Sequence, residues 1–410
     1  MRYYKRELYL KKIRPFYHDT EMIKVLTGIR RCGKSTILEM IKGELIDEGV
    51  SKEQIIDINL DKRGFKSINK ADDLEKRIDS MSLSGGTHYL FIDEVQNVTD
   101  FEPVVNAFRE EGNYSIFITG SNSYLLSGDL ITKLTGRYIE FEIQTLSFAE
   151  YEGMKAFYHI SEASDNQEEF DEYILNGGFP YAIRIEDPSA KRVYVENVVD
   201  EIIKKDIKSK NRIRHISVFE RVMGYIIHNF GSTTNIKKIH EYFLNEEKLS
   251  ITEDTIARYV QILENARIIS RCSRFDIKSK KSLSGEQKYY LADLSLYFCR
   301  NTDNRINYGP VLENILYNYA KSMDYSVSVG RIGKLECDFI VRGSQMNYAY
   351  IQVAYTILSS RETEDREYRP LELIRDNYPK YVMTEDHLLQ KRNGIIHVNL
   401  EDFIRGGNAF

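Results

Sequence analysis

The chain has 410 residues, enough for two or three compact units each with its own core. Hydrophobic residues make up 42% and charged residues 29%, near the average for folded proteins, which excludes a disordered or fibrous chain. The formal net charge of −5 excludes a global attraction to nucleic acid, so any such contact must come from local basic patches.

The first segment, MRYYKRELYLKKIRPFY, has basic residues but no apolar stretch leading to a small-residue cleavage site. No uncharged span of membrane-crossing length follows, and a cytoplasmic location is the expectation. Cys32, Cys272, Cys299 and Cys337 lie far apart without paired spacing, so neither a zinc cage nor a disulfide framework is suggested.

From Met22 to about Ile143, short β-rich apolar runs alternate with helical patterns, the signature of an α/β domain with a mostly parallel sheet. Strands are expected at MIKVLTG, QIIDINL, HYLFIDEV, SIFITGS and RYIEFEI. Between the first two, Ile37, Leu38, Ile41 and Leu45 fall on one helical face, and Gly49 ends the helix. Where the first strand meets this helix the sequence reads Gly28-Ile29-Arg30-Arg31-Cys32-Gly33-Lys34-Ser35-Thr36, the Walker A pattern in the position it requires. Glycines let backbone N–H groups curl around phosphate oxygens, and the helix N-terminus adds its positive dipole end. Lys34 is placed to reach the β and γ phosphates of ATP, and the Ser35 hydroxyl to ligate Mg2+. Arg30 and Arg31, inside the loop, are further phosphate-contact candidates, whereas Cys32 reads as packing.

The third strand, Tyr89-Leu90-Phe91-Ile92, carries Asp93 and Glu94 to its C-terminal end, the edge where open α/β sheets bind ligands. Asp93 is expected to hold Mg2+ and Glu94 to polarise the attacking water. The Asp-Glu pair, with a further strand between it and the Walker A helix, favours the ATPase branch that uses a glutamate base. The fourth strand ends in Thr119-Gly120-Ser121-Asn122, where Ser121 or Asn122 is a γ-phosphate-sensing candidate and ordinary turn chemistry the alternative. Arg137, before the fifth strand, is a candidate for transition-state charge, in cis or from a neighbouring subunit; a surface salt-bridging residue is the other reading.

Beyond this 1–146 core, residues 147–215 read as a helical lid or connector interrupted by the turn NGGFP. Over 216–301, three helical patterns precede two strand-like runs, ARIISRCSRF and QKYYLAD, which makes a winged helix. Residues 302–410 read as a separate α/β unit.

The loop and strand motifs, with TGSNS at 119–123, LTGRY at 134–138, LSFAEY at 146–151 and NGGFPYA from Asn176, resemble a large bacterial and archaeal family of AAA-type ATPases. Its members carry a C-terminal domain of unknown function, and the resemblance covers nearly the whole chain. It implies ATP hydrolysis and this modular layout, without one settled cellular task.

In the 216–301 module, Ile256, Tyr259, Val260 and Leu263 form an apolar helix face, while the opposite face offers Arg258 beside several acids, a poor major-groove reader. Bases cluster instead at Lys204, Lys205, Lys208, Lys210, Arg212 and Arg214, and in the wing at Arg271, Arg274, Lys278, Lys280 and Lys281. These are candidate contacts for DNA phosphates; a solvated face on a protein-docking element is the alternative.

In the last unit, Glu313 on a helix, Asp338 in a strand and Gln352 in the next strand follow an order that resembles the PD-(D/E)XK nuclease fold, a restriction-endonuclease-like α/β domain. Strand alternation puts Gln352 and Ala354 where that fold implies an acid and a lysine. Alanine cannot activate water, so binding without cutting is the expectation, unless Lys380 or another base enters from a neighbouring element.

The sequence reading is therefore an ATP- and Mg2+-dependent ATPase, a candidate homo-oligomer, whose turnover repositions the C-terminal modules, with DNA as candidate substrate. A nucleotide-gated protein-interaction scaffold is the alternative.

Overall fold

The computed structural model describes residues 3–82, 85–120, 134, 136–161, 163–208, 213–299, 301, 305–344 and 347–410. They fall into two compact units. The first comprises Met1–Gln144, Glu201–Lys210 and Asn265–Arg267; the second comprises Thr145–Asp200, Asn211–Glu264 and Ile268–Phe410.

The first unit is built on five parallel strands: β1 (Ile23–Thr27), β2 (Ile55–Asn59), β3 (His88–Asp93), β4 (Tyr114–Thr119) and β5 (Tyr138–Glu142), in the order β2-β3-β4-β1-β5. Every residue of β1, β3 and β4 is buried, as expected of central parallel strands covered on both faces, while β2 alternates buried with half-buried positions at the edge. One face packs Leu90, Ile92, Ile116 and Ile118 against Leu74 and Ile78 of the helix Ala71–Met81 and Phe101, Val105 and Phe108 of the helix Phe101–Glu110. On the other face the rings of Phe91 and Phe117 stack at 4.7 Å. Trimming a side chain as enclosed as Phe101 to alanine costs about 3–5 kcal/mol, so this core fixes the strand register on which the site depends.

The helix Lys34–Asp47 buries Ile37, Leu38, Ile41 and Leu45, the face read from the sequence. It closes at Gly49 (φ +97°), with N–H groups of Gly49 and Val50 donating to the carbonyls of Ile46 and Leu45.

In the second unit, the stretch after Gln144 is helical as the sequence suggests, with helices Phe148–Phe157, Asn166–Asn176 and Pro188–Glu201. Ser147 caps the first of them reciprocally with Glu150, the pair the LSFAEY motif supplies. The NGGFP turn has a packing reason: Gly177 (φ +73°) lies so close to the buried Asp293 that a Cβ would fall 1.8 Å from its Oδ1, and the Gly178 N–H donates to Oδ2 at 2.8 Å.

Three helices, Ile216–His228, Ile236–Asn245 and Glu253–Asn265, precede the antiparallel hairpin β6 (Ile269–Asp276) and β7 (Lys281–Leu291). The hairpin that the sequence order suggested as a wing is also part of a larger sheet. β6 pairs in parallel with β8 (Ser326–Ile332), so β6 and β7 continue a mixed eight-stranded sheet with β9 (Leu335–Arg342), β10 (Tyr348–Val353), β11 (Lys380–Thr384), β12 (Lys391–Arg392) and β13 (Ile395–Asn399). An eight-residue strand left as an exposed edge invites foreign pairing, and β8 covers that edge. The residues read as two modules, 216–301 and 302–410, thus share one sheet.

Candidate nucleotide site

The loop between β1 and the helix Lys34–Asp47 is shaped by two glycines in left-handed backbone, Gly28 (φ +135°) and Gly33 (φ +106°). A Cβ on Gly28 would fall 2.1 Å from the carbonyl oxygen of Ile143, so the loop passes closer to its neighbour than any side chain permits. From behind, the buried Arg6 guanidinium donates to the carbonyls of Cys32 and Gln144 at 3.0 Å each. Arg6 was not singled out in the sequence, because nothing local to it signals a partner 26 residues away. Cys32 is fully enclosed, which fits packing.

Lys34 opens the helix, and its Nζ donates to the carbonyls of Gly28 (2.9 Å) and Ile29 (3.2 Å), the loop's own acceptors. Ser35 Oγ donates to Asp93 Oδ1 at 3.1 Å, and Thr36 continues the first turn. Asp93, at the C-terminal end of β3, also accepts from the Thr119 hydroxyl and, through Oδ2, from Asn59 Nδ2 at 2.7 Å. Sequence reasoning missed Asn59 and Thr119. They close β2 and β4, and parallel register sets Asn59 opposite Asp93. Burial holds the Asp93 carboxyl above the usual aspartate range, against the hydroxyls of Thr119 and Ser35, which stabilise its anion. The Ser35 hydroxyl and a carboxylate short of positive charge are the hard oxygen donors that suit Mg2+, so these residues fit that ion.

Glu94 follows in left-handed backbone (φ +60°), a conformation a non-glycine residue holds only under surrounding constraint. Its N–H donates to Thr119 Oγ1 at 3.1 Å, and its carboxylate accepts from Gln96. β4 lies between β1 and β3, the arrangement the sequence argument required.

The loop's arginines are engaged. Arg30 forms a two-pronged pair with Asp206 (2.8 and 2.9 Å), and Arg31 (φ +69°) meets Glu201 at 3.2 Å. Burial lowers Arg30's proton affinity, but Asp206 and, more weakly, Glu94 and Glu201 outweigh it and raise it. Asp206 lies in the π-helical turn Ile202–Lys208 that continues the helix Pro188–Glu201.

Ser121 and Asn122 lie outside the described residues. Arg137 lies beside Ile23, at the start of β1, whereas Gly28 follows the far end of that strand, roughly 15 Å away. Its guanidinium meets Asn106 at 3.1 Å and Glu110 at 3.8 Å. The length of β1 thus separates Arg137 from its own phosphate loop.

In the second unit, Glu313, Asp338 and Gln352 do converge, and a lysine joins them from β7. Lys288 Nζ lies 2.9 Å from Glu313, 3.0 Å from Glu336 and 3.8 Å from Asp338. Gln352 accepts from the Asp338 N–H (3.4 Å) and donates to Glu367 (3.0 Å). Lys380 does not enter; it donates to Asp376 and Tyr378. Two of the wing's bases are neutralised as well, Arg271 by Glu264 and Arg274 by Glu286 and Glu336. Lys210 and Arg212 lie outside the described residues.

A parallel sheet with a glycine-shaped phosphate loop beside an Asp-Glu strand end defines an AAA-type P-loop ATPase. The family described as "AAA domain" matches residues 20–152, and a domain of unknown function (DUF8612) matches residues 167–304. The chain belongs to the same family as an uncharacterized protein of Haemophilus influenzae, 33% identical over 401 residues that span 97% of this chain and 98% of that protein. The uncharacterized protein MJ1544 of Methanocaldococcus jannaschii is 29% identical over 87% of this chain and 82% of its own length. Among solved structures, the Walker-type ATPase PABY2304 of Pyrococcus abyssi matches with a TM-score of 0.52 at 15% identity, covering 72% of this chain and 95% of that one, a likeness of fold. Among the described residues, no helix is long and apolar enough to cross a membrane.

Proposed function

We propose that the protein binds ATP with Mg2+ at Gly28–Thr36 and hydrolyses it with Glu94 as the residue that orients and deprotonates the attacking water. The observation that carries this reading is the meeting of Ser35, Asp93, Asn59 and Thr119 at one sheet edge, with Glu94 next in the chain. Ser35 and Asp93 would hold the metal ion, which when bound would neutralise charge on the phosphate oxygens. Lys34, at present on loop carbonyls, exchanges these for phosphate oxygens when the nucleotide enters. Asn59 and Thr119 keep the Asp93 carboxylate oriented, while Gln96 holds Glu94. Arg137 acts in trans, on a nucleotide held by a second copy of the chain. Turnover drives rearrangement of the C-terminal region.

A second reading, a nucleotide-gated scaffold for a protein partner, draws support from the neutralisation of Arg271 and Arg274, which removes two bases from the surface that would face DNA. ATPase rates with double-stranded DNA, single-stranded DNA and RNA across a salt series separate the two. Stimulation that fades with salt supports a nucleic-acid role; rates indifferent to all three support the scaffold.

A further inference from the structure

The nuclease-like order of Glu313, Asp338 and Gln352 implies a divalent metal ion, and the residues around them do not fit one. The helix Tyr308–Ser322 brings Glu313, β9 brings Glu336 and Asp338, and between these carboxylates stands the Lys288 ammonium from β7. Lys288 is 4% exposed and Asp338 7%. We infer that Lys288 is the resident cation of this acidic site, so that the C-terminal fold holds no divalent metal there and cuts no phosphodiester bond.

A metal ion bound to the same oxygens would need to lie within about 2.0–2.6 Å of each, in the volume the ammonium fills, with two cations repelling at contact distance. Two further oxygens are occupied too, Asp338 Oδ2 by the Val353 N–H at 2.9 Å and Glu336 Oε2 by Arg274 at 2.9 Å, and Glu313 Oε2 accepts from both Lys288 and the Tyr290 hydroxyl, the latter at 2.7 Å. Among the described residues, no group of three or more His, Cys, Asp or Glu is placed to hold a metal ion. The lysine reaches the site from the hairpin, outside the strand where the nuclease pattern seeks it. It thereby ties β7 to β9 and to the helix of Glu313, which gives the hairpin's incorporation into the sheet an electrostatic reason.

The test is Mn2+ uptake by the nucleotide-free full-length protein, with linear DNA as a second probe. Wild type and Asp338→Ala are expected to bind equal amounts of Mn2+ and to leave DNA intact. Lys288→Ala is expected to gain one equivalent of Mn2+, which adding Asp338→Ala removes. Mn2+ uptake or DNA cleavage by the wild type that Asp338→Ala abolishes would overturn the inference, as would a folded Lys288→Ala that gains no Mn2+. Should that variant not fold, Lys288→Met and its pairing with Glu313→Gln decide. The single change is expected to lower the melting temperature by roughly 10 °C, because it strands buried carboxylates, and the pair to recover at least half of that loss. No recovery would show that Lys288 is not balancing Glu313.

Discussion

Asp93 gathers donors from three other segments, Ser35, Asn59 and Thr119, while burial works against its charge. In the proposed function this carboxylate holds the cation and its neighbour Glu94 activates the water. Lys34→Ala is expected to abolish ATP binding, whereas Glu94→Gln should retain binding and lose about 10²–10⁴-fold in turnover, the usual contribution of a positioned base. Equilibrium binding of a fluorescent ATP analogue beside a phosphate-release assay separates these outcomes. Lys34, Ser35, Asp93 and Glu94 were legible in the sequence because their motifs are local. Asn59 and Thr119 were not, because only parallel register carries residues 34 and 26 positions from Asp93 to its side. A second residue-scale prediction concerns Glu385, where burial, reinforced by Glu401, Asp171, Asp402 and Asp386, pushes the carboxyl up to about 8. A folded pKa above the ordinary glutamate value means the folded state binds the proton more tightly. Stability is therefore lost as pH rises through the window from about 4.5 to 8. Glu385→Gln should leave the melting temperature unchanged at pH 5 and raise it by ~5 °C at pH 8.5. An equal shift at both pH values would exclude the charge as its cause.

At the scale of elements, the phosphate loop is held in two ways, by contacts no side chain at Gly28 would allow and by an ion pair at Arg30. Gly28→Ala is expected to cost about 3 kcal/mol or more in chemical denaturation, since a Cβ would strike the Ile143 carbonyl and the backbone is left-handed. The Arg30–Asp206 pair is different in kind, because a phosphate competes with a carboxylate for a guanidinium. Asp206→Asn should free Arg30 and tighten ATP binding several-fold relative to ADP, measured by calorimetry. Weaker ATP binding would instead mean that Asp206 holds the loop in its binding shape. The central strands β1, β3 and β4 could be read from apolar runs because parallel strands covered on both faces are uniformly hydrophobic, and the edge strands β2 and β5 from shorter runs broken by polar residues. The Asp206 contact could not, for it joins residues 176 positions apart through a π-helical turn with no sequence signature.

For the whole molecule, sequence boundaries and physical units diverge. The sequence suggests a second wing strand from Gln287, yet β7 begins at Lys281 and β6 pairs with β8, a non-local contact that periodicity does not encode. Oligomerisation belongs to this scale as well. Arg137 lies at the end of the sheet away from its own loop, so a trans role makes turnover per subunit rise with protein concentration, and Arg137→Ala should abolish that rise. A rate independent of concentration, across a range where mass measurement shows assembly, would reject the role. Single-turnover hydrolysis of radiolabelled ATP, with and without Mg2+, tests whether one site in the first unit binds and hydrolyses ATP. Hydrolysis by the wild type with Mg2+, bound but uncleaved ATP in Glu94→Gln, and no bound ATP in Lys34→Ala are the expected results. Undiminished hydrolysis by Lys34→Ala or by Glu94→Gln would contradict this assignment.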